Sequence, residues 1–259
     1  TTVVMGNCGV GFAPVAPDRH EWLIGLMEGV EDIPGSALSI GIQWGWESFP
    51  EYLDAVDALP HVTDIGTQVP HGAVRAYVMG ERGARNEPAT PADIEAMGRI
   101  VAAGIAAGAL GFSTSRTLAH RAIDGEPVPG TFAAEDELFG IGRAMGAGVF
   151  ELAPAGALGE DLARADKEIG WMRRLAAETG RPVTFVLTQN NAAPTQWRDF
   201  LDRLDGAPQV RPQVHGRTVS ILLGFQTFHP LAFTPAWGAS GVGLLPWDEQ
   251  AARLRDDAE

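Results

Sequence analysis

Short apolar runs alternate with segments of helical periodicity along most of the chain. The first run, TTVVMGNC (1–8), is β-branched and is stopped by glycine, which is typical of a buried strand. The segment DRHEWLIGLMEGV then has apolar residues at helical spacing, and Pro34 and Gly35 after it predict a loop. Ser48 and Thr90 each stand directly before a proline-containing first turn, so both predict helix N-caps.

Five further apolar runs predict strands, and a helical segment precedes each of them. The runs are TDIGTQVPHGAVRAYVMG, GALGFSTSR, GVFELAP, RPVTFVLTQ and PQVRPQV. Alternation of this kind is typical of βα units that build a parallel sheet. From Gly216 to Trp247 the sequence is aromatic and rich in proline without a clear period, and a charged segment, DEQAARLRDD, then predicts a helix.

Polar residues follow the predicted strands at their carboxyl ends. Both a (β/α) barrel and an open doubly wound sheet carry their chemistry at that end of the strands. A barrel is favoured, because no strand leads through a G-x-G-x-x-G turn into a helix. A closed barrel has about eight strands, so either two strands are missed or the chain is part of a longer protein. The polar strand ends are Asn7, His71, Ser113 to Arg116, Gln189 and Gln213.

The composition limits the kinds of partner that the protein is expected to bind. Hydrophobic residues make up 45% of the 259 residues and charged residues 20%, which is typical of a globular protein. The formal net charge of −14 argues against nucleic acid or an anionic membrane as a partner, since both bind clustered Lys and Arg. No apolar run reaches the length of a membrane span. A single cysteine excludes an intramolecular disulfide, so the expected location is the cytoplasm.

Cys8 is the only cysteine, and three roles are open to it. Free cysteine is among the most buried residue types, so packing is the default role. Its place at a strand end, before glycines, favours a position in a site. A nucleophile needs a histidine base, and a metal ligand needs His, Asp or Glu partners. No H-x-H or H-x-x-x-H occurs to supply such partners.

Four further residues are candidates for binding a substrate: His71, Ser113, Arg116 and His120. His71 ends a strand, where a structural histidine is the alternative. Arg116 follows the hydroxyls of GFSTS and could clamp a carboxylate, although a surface ion pair is nearly as well supported in so acidic a protein. His120 lies in the loop that follows, which contains DGEPVPG and could form a lid. Glu151 stands inside an apolar strand, so a buried carboxylate there must be paired or protonated.

Five phrases together resemble the N-acyl-D-amino-acid deacylase (D-aminoacylase-like) branch of the amidohydrolase superfamily. They are TTVVMGNCGVGFAP, WGWESFPEYLDA, VPHGAVRAYVMG, GALGFSTSR and RPVTFVLTQ. The resemblance implies an α/β fold, a metal-dependent (β/α)8 barrel of the TIM type, beside a small β-sandwich. Residues 1–259 would form part of the catalytic barrel, holding strands two to seven. The β-sandwich and the first and last barrel strands would lie outside the chain.

The resemblance also implies a role for Cys8 as a zinc ligand. The family's H-x-H pair would lie upstream of residue 1, and the catalytic acid/base aspartate would lie beyond Glu259. Family members carry metal-binding histidines at the ends of two strands that here read VFELAP (149–154) and FVLTQ (185–189), without histidine. Two possibilities are therefore open: the intact protein binds one metal ion instead of two, or it has lost the deacylase chemistry.

The expected function is that of a fragment of a zinc-dependent hydrolase. Metal-activated water would cleave the amide of an N-acyl-D-amino acid or a related linear amide, a small-molecule substrate. The isolated chain is expected to be inactive, and its open strand edges predict self-association. Two alternatives stay open: another amidohydrolase, acting on cyclic amides, and a degenerate barrel without catalysis.

Overall fold

The computed structural model describes residues 1–157, 159–190, 193–216, 229, 231 and 234–256. The chain divides into two units, Thr1–Val214 and His215–Glu259. In the second unit, helices α10 and α11 cover Pro235–Ser240 and Trp247–Asp256, which confirms the charged helix predicted near the end. Most of the segment from residue 216 to residue 233 lies outside the described residues. None of the helices in the described ranges is long and apolar enough to cross a membrane.

Six parallel strands form one sheet in the first unit, and they pair in the order of the sequence. A helical connection separates each strand from the next, so every pair is a βα unit. The strand order never reverses, as it would in a doubly wound sheet, and this is the arrangement of an incomplete (β/α) barrel. The strands are β1 Thr2–Met5, β2 Asp64–Pro70, β3 Gly111–Ser115, β4 Val149–Ala153, β5 Val183–Val186 and β6 Val210–Gln213.

Nine helices are described in the first unit. The predicted N-caps are confirmed: Ser48 and Thr90 both form capping boxes, with Glu51 and Asp93. The helices are α1 His20–Glu31, α2 Gly35–Gly41, α3 Phe49–Asp57, α4 His71–Met79, α5 Glu81–Ala84, α6 Pro91–Ala107, α7 Glu135–Ala144, α8 Leu162–Thr179 and α9 Gln196–Arg203.

Two predictions of secondary structure are wrong. The run VPHGAVRAYVMG is not one strand, because β2 ends at Pro70 and α4 begins at His71. Residues 71–75 are all buried, and a continuously buried run has no period that separates a helix from a strand. The loop predicted at Pro34 and Gly35 is instead the start of α2, where Pro34 occupies the N-cap position.

The two faces of the sheet differ in polarity. Large apolar side chains such as Phe112, Phe150 and Phe185 point to the helices and build the main core with residues such as Trp171 of α8. Since side chains alternate along a strand, the residues between them lie on the concave face. There Ser113, Glu151 and Thr184 are register partners on β3, β4 and β5.

The sheet has two edge strands, β1 and β6, and no further strand pairs with either one among the described residues. On β1, Val3 and Val4 are about half exposed, at 47% and 49%. An exposed apolar edge strand is a template for pairing with another chain. Self-association of the 259-residue chain stays a prediction.

Candidate functional site

A cavity of about 510 Å3 lies at the carboxyl ends of the strands. Its wall takes residues from successive βα units: Cys8 after β1, Gln68 of β2, His120 after β3, Ala153 at the end of β4 and Val186 at the end of β5. Catalytic groups of (β/α) barrels lie at this end. The cavity is therefore the candidate active site.

The turn after β1 places Cys8 on the cavity wall. Its backbone is held from two neighbouring units: the Gly9 N–H donates to Ser113 Oγ at 3.1 Å, and the Gly72 N–H donates to the Gly9 carbonyl at 2.9 Å. Gly9 has φ of +74°, and a Cβ added there would lie 2.5 Å from Thr114 Cα. Only glycine combines this backbone conformation with so close an approach. Ser113 thus helps to hold the turn that places Cys8 on the cavity wall.

The Cys8 thiol is partly buried beside a carboxylate. Its Sγ lies 3.9 Å from Glu31 Oε1, at the end of α1. Burial, and then the negative charge of Glu31, raise the pKa of Cys8 to about 11. At neutral pH it is therefore a thiol in the absence of a cation, and binding of a metal ion would release its proton.

His71 is fully buried and does not line the cavity. Its Nδ1 lies 2.8 Å from Thr114 Oγ1, and its Nε2 lies 2.9 Å from Glu137 Oε1. Burial lowers the pKa of His71 more than the nearby carboxylate raises it, so the imidazole is neutral at pH 7. A neutral ring that faces a carboxylate donates from Nε2, and its Nδ1 accepts the Thr114 hydroxyl.

Arg75 completes this buried network. Its Nε donates to Glu137 Oε1 at 2.8 Å, and its Nη1 and Nη2 donate to the carbonyls of Gly83 and Glu87. Burial opposes ionisation of Glu137, but the hydrogen bonds from His71 and Arg75 outweigh it and lower the pKa of Glu137 to about 2. The network fixes the start of α4 against α7, behind the turn that carries Cys8.

Arg116 is also engaged with the protein. Its Nε donates to both carboxylate oxygens of Glu168, at 3.1 and 2.9 Å, and its Nη1 donates to the Ala133 carbonyl at 2.9 Å. The guanidinium also lies over the Trp171 ring, 5.5 Å from its centroid. Arg116 is absent from the cavity wall, as are His71 and Ser113. A substrate role for these three residues stays a prediction.

His120 is the predicted substrate-binding residue that the structure places on the same cavity wall as Cys8. Its Nδ1 lies 2.9 Å from Ser115 Oγ, and no other hydrogen bond of the ring is found within the described residues. Burial lowers the pKa of His120, and Glu160 raises it by less. The imidazole is therefore neutral at pH 7, and its second nitrogen is free for a ligand.

Three residues that contact the candidate site or its supporting side chains could not be identified from the sequence. Glu31 lies beside Cys8, Glu160 accepts from the Thr117 hydroxyl and from the Leu118 and Gly156 N–H groups, and Gln68 pairs with Glu151. Glu31 and Glu160 belong to polar segments in which nothing separates them from other surface carboxylates. Glu151 did carry a signal, because it interrupts an apolar strand.

The described residues do not fit a complete zinc site. Structural and catalytic zinc ions take at least three protein ligands. No group of three His, Cys, Asp or Glu side chains with the spacing of a metal site occurs in the described ranges. Cys8 and Glu31 supply two potential donors, and the strand ends at Ala153 and Val186 supply none.

A profile of the Amidohydrolase family matches residues 1–254. The chain belongs to this family. A D-aminoacylase from Alcaligenes xylosoxydans xylosoxydans is 34% identical over 114 residues, which are 44% of this chain and 21% of that protein. The predicted resemblance to D-aminoacylases is thus confirmed.

Solved structures of D-aminoacylases share the fold. One, with a binuclear metal centre, is 24% identical, with a TM-score of 0.61 over 84% of this chain and 42% of its own. The N-acyl-D-glutamate deacylase from Bordetella bronchiseptica, bound to zinc and a phosphonate inhibitor, is 23% identical, with a TM-score of 0.60 over 83% of this chain and 40% of its own. The incomplete barrel predicted from the sequence is confirmed, and the match spans less than half the length of these proteins.

Proposed function

We propose that the chain is the central part of the catalytic barrel of a zinc hydrolase that cleaves the amide of N-acyl-D-amino acids. Family membership and the D-aminoacylase relatives support the reaction class. The observation that carries the proposal is the position of Cys8, at the carboxyl end of β1 on the wall of a 510 Å3 cavity. The substrate would be a small molecule, and the proposed location is the cytoplasm.

Within this proposal Cys8 supplies one metal ligand. The ligands that complete the site would come from parts of the protein outside residues 1–259, as would the acid/base aspartate and the β-sandwich. Gly9 and Ser113 hold the Cys8 turn in place through the 3.1 Å hydrogen bond between them. Zinc, when bound, would supply an activated water and a Lewis acid for the scissile carbonyl.

The four predicted substrate residues then take two kinds of role. His120 lines the cavity with an uncommitted ring nitrogen, so it would hydrogen-bond the substrate directly. His71, Ser113 and Arg116 would position the strand ends around the cavity, since their polar atoms bind Glu137, Gly9 and Glu168. A positioning role affects binding and turnover through geometry instead of direct contact.

Hydrolysis of matched enantiomers by the complete gene product tests this function. We expect cleavage of N-acetyl-D-amino acids and little cleavage of the L-enantiomers, with kcat/KM falling about 100-fold or more in Cys8→Ser. Met27→Leu, a change at another residue of the cavity wall, is the matched control and should retain activity. Preference for a cyclic amide, or no hydrolysis of any amide by the wild type, would contradict the proposal in favour of the other amidohydrolase or of the non-catalytic barrel.

A further inference from the structure

A polar layer crosses the interior of the half-barrel below the cavity. Gln68 of β2, Glu151 of β4 and Gln213 of β6 come from alternate strands, and the two glutamine side chains hydrogen-bond the Glu151 carboxylate. In (β/α) barrels each interior layer takes its side chains from alternate strands, and branched apolar residues usually fill it. Ala153, two residues beyond Glu151 on the same face of β4, lines the cavity. Glu151 therefore lies one layer beneath the cavity floor.

Glu151 is a buried carboxylate for which the described part of the chain supplies no counter-charge. It is 6% exposed, and no Lys, Arg or His of the described ranges forms an ion pair with it. The two other glutamates that are buried among the described residues are both paired with arginine: Glu137 with Arg75 and Glu168 with Arg116. Burying a carboxylate with only neutral donors is costly, so the position favours a cation. Burial also raises the pKa of Glu151, as expected for a carboxylate that lacks a cation.

Gln68 presents a second unsatisfied group at the same place. Its Nε2 donates to Glu151, whereas its Oε1, in a residue only 3% exposed, is buried and finds no hydrogen-bond partner among the residues that the structure describes. Glycine is required where β3 passes this amide, because a Cβ on Gly111 would clash with the Val149 carbonyl oxygen and would lie 3.0 Å from Oε1. Gln68 also lines the cavity, which connects this acceptor to the larger site. An orphan acceptor beside an unpaired carboxylate is a place for a ligand that is positive or rich in donors.

We propose that the juxtaposed Glu151 carboxylate and Gln68 Oε1 bind a hard divalent cation of the Mg2+ or Mn2+ kind below the cavity floor. Carboxylate and amide oxygens are the donors that these ions prefer. Mg2+ usually keeps several of its waters and takes only one or two carboxylates from a protein, so one carboxylate and one amide oxygen would be the protein's share of the ligands. The cation would neutralise Glu151 and satisfy the orphan oxygen. This oxygen site is separate from the proposed zinc ligand Cys8, whose thiolate favours softer metals.

Mn2+ binding to the 259-residue chain tests the proposal, with the electron paramagnetic resonance signal of free Mn2+ as the readout. We expect one site, from which Mg2+ displaces Mn2+. Glu151→Gln keeps the shape and removes the charge, so it should weaken Mn2+ binding about tenfold or more. Gln68→Glu adds a second carboxylate and should strengthen binding about tenfold, because affinity follows the ligand charge. A gain at a single site, with the circular dichroism spectrum of the wild type, separates an effect on the site from misfolding.

Two controls separate the site from other acidic groups and from the proposed zinc chemistry. Glu95→Gln, on the exposed surface of α6, removes the same charge and should leave Mn2+ binding unchanged. Cys8→Ser should leave it unchanged as well, so this result does not depend on the proposed hydrolase function. Added Mn2+ should raise the melting temperature of the wild type but not that of Glu151→Gln. Absence of Mn2+ binding, equal binding by wild type and Glu151→Gln, or loss of binding in Cys8→Ser would overturn the proposal.

Discussion

Replacing Gly9 by alanine is expected to lower the free energy of unfolding by about 3 kcal/mol or more. The new Cβ would lie 2.5 Å from Thr114 Cα and 2.8 Å from the Ser115 backbone nitrogen. Both are backbone atoms of the central strand β3, so no side chain can move aside. The φ of +74° adds strain for any residue with a Cβ. Urea unfolding followed by circular dichroism measures the loss.

Gly146 provides the matched control for this change. It also has a positive φ, of +66°, but a Cβ added there meets nothing within 4 Å. Gly146→Ala therefore isolates the backbone strain, at about 1 to 2 kcal/mol. If Gly9→Ala and Gly146→Ala lost the same free energy of unfolding, the close packing of the Cys8 turn against β3 would be contradicted.

Replacing Arg75 by methionine is expected to destabilise the fold by about 3 to 5 kcal/mol. Arg75 is 1% exposed, and its guanidinium binds Glu137 and two backbone carbonyls. Its removal leaves the Glu137 carboxylate buried with only His71, which is neutral, and leaves both carbonyls without their donor. Denaturant unfolding at pH 7 measures the effect, and Arg99→Met, at an exposed arginine, is the control.

The acid dependence of stability checks the same network. The pKa of Glu137 falls from 4.5 to about 2 on folding, so its ionised form favours the native state. That contribution is complete above pH 4.5 and is lost as the pH falls from there toward 2. In Arg75→Met the pKa of Glu137 should rise, so the variant should lose less stability than the wild type across this window. Parallel pH profiles of the two proteins would contradict the coupling.

Much of the fold could be predicted, because its signals are local. The β-branched run before Gly6 and the capping boxes at Ser48 and Thr90 depend on residues that are close in sequence. The boundary between β2 and α4 could not be predicted, because residues 71–75 are all buried and therefore show no helical alternation of apolar and polar residues. The number of strands followed from the βα alternation, whereas the choice of a barrel, in which strands pair in the order of the sequence, also needed the absence of a G-x-G-x-x-G turn.

The candidate site was predictable only in part. Cys8 at a strand end, and His120 in the loop after another strand end, indicated the cavity end of the sheet, and both line the cavity. Their partners are set by tertiary contacts across long stretches of chain: Glu31 for Cys8, and Glu168, 52 residues away, for Arg116. The charge and strand-end position of Arg116 suggested that its guanidinium binds a ligand. The structure shows that the guanidinium instead donates to the Glu168 carboxylate.

The zinc content of the complete gene product most directly tests the claim that Cys8 belongs to the metal centre of an amidohydrolase. Wild type and Cys8→Ser would be purified side by side, loaded with zinc, passed through a chelating column and analysed by mass spectrometry of the metal. The expected result is tightly bound zinc in the wild type and in the control Met27→Leu, and loss of most of it in Cys8→Ser. A wild type without zinc, or equal zinc in wild type and Cys8→Ser, would contradict it.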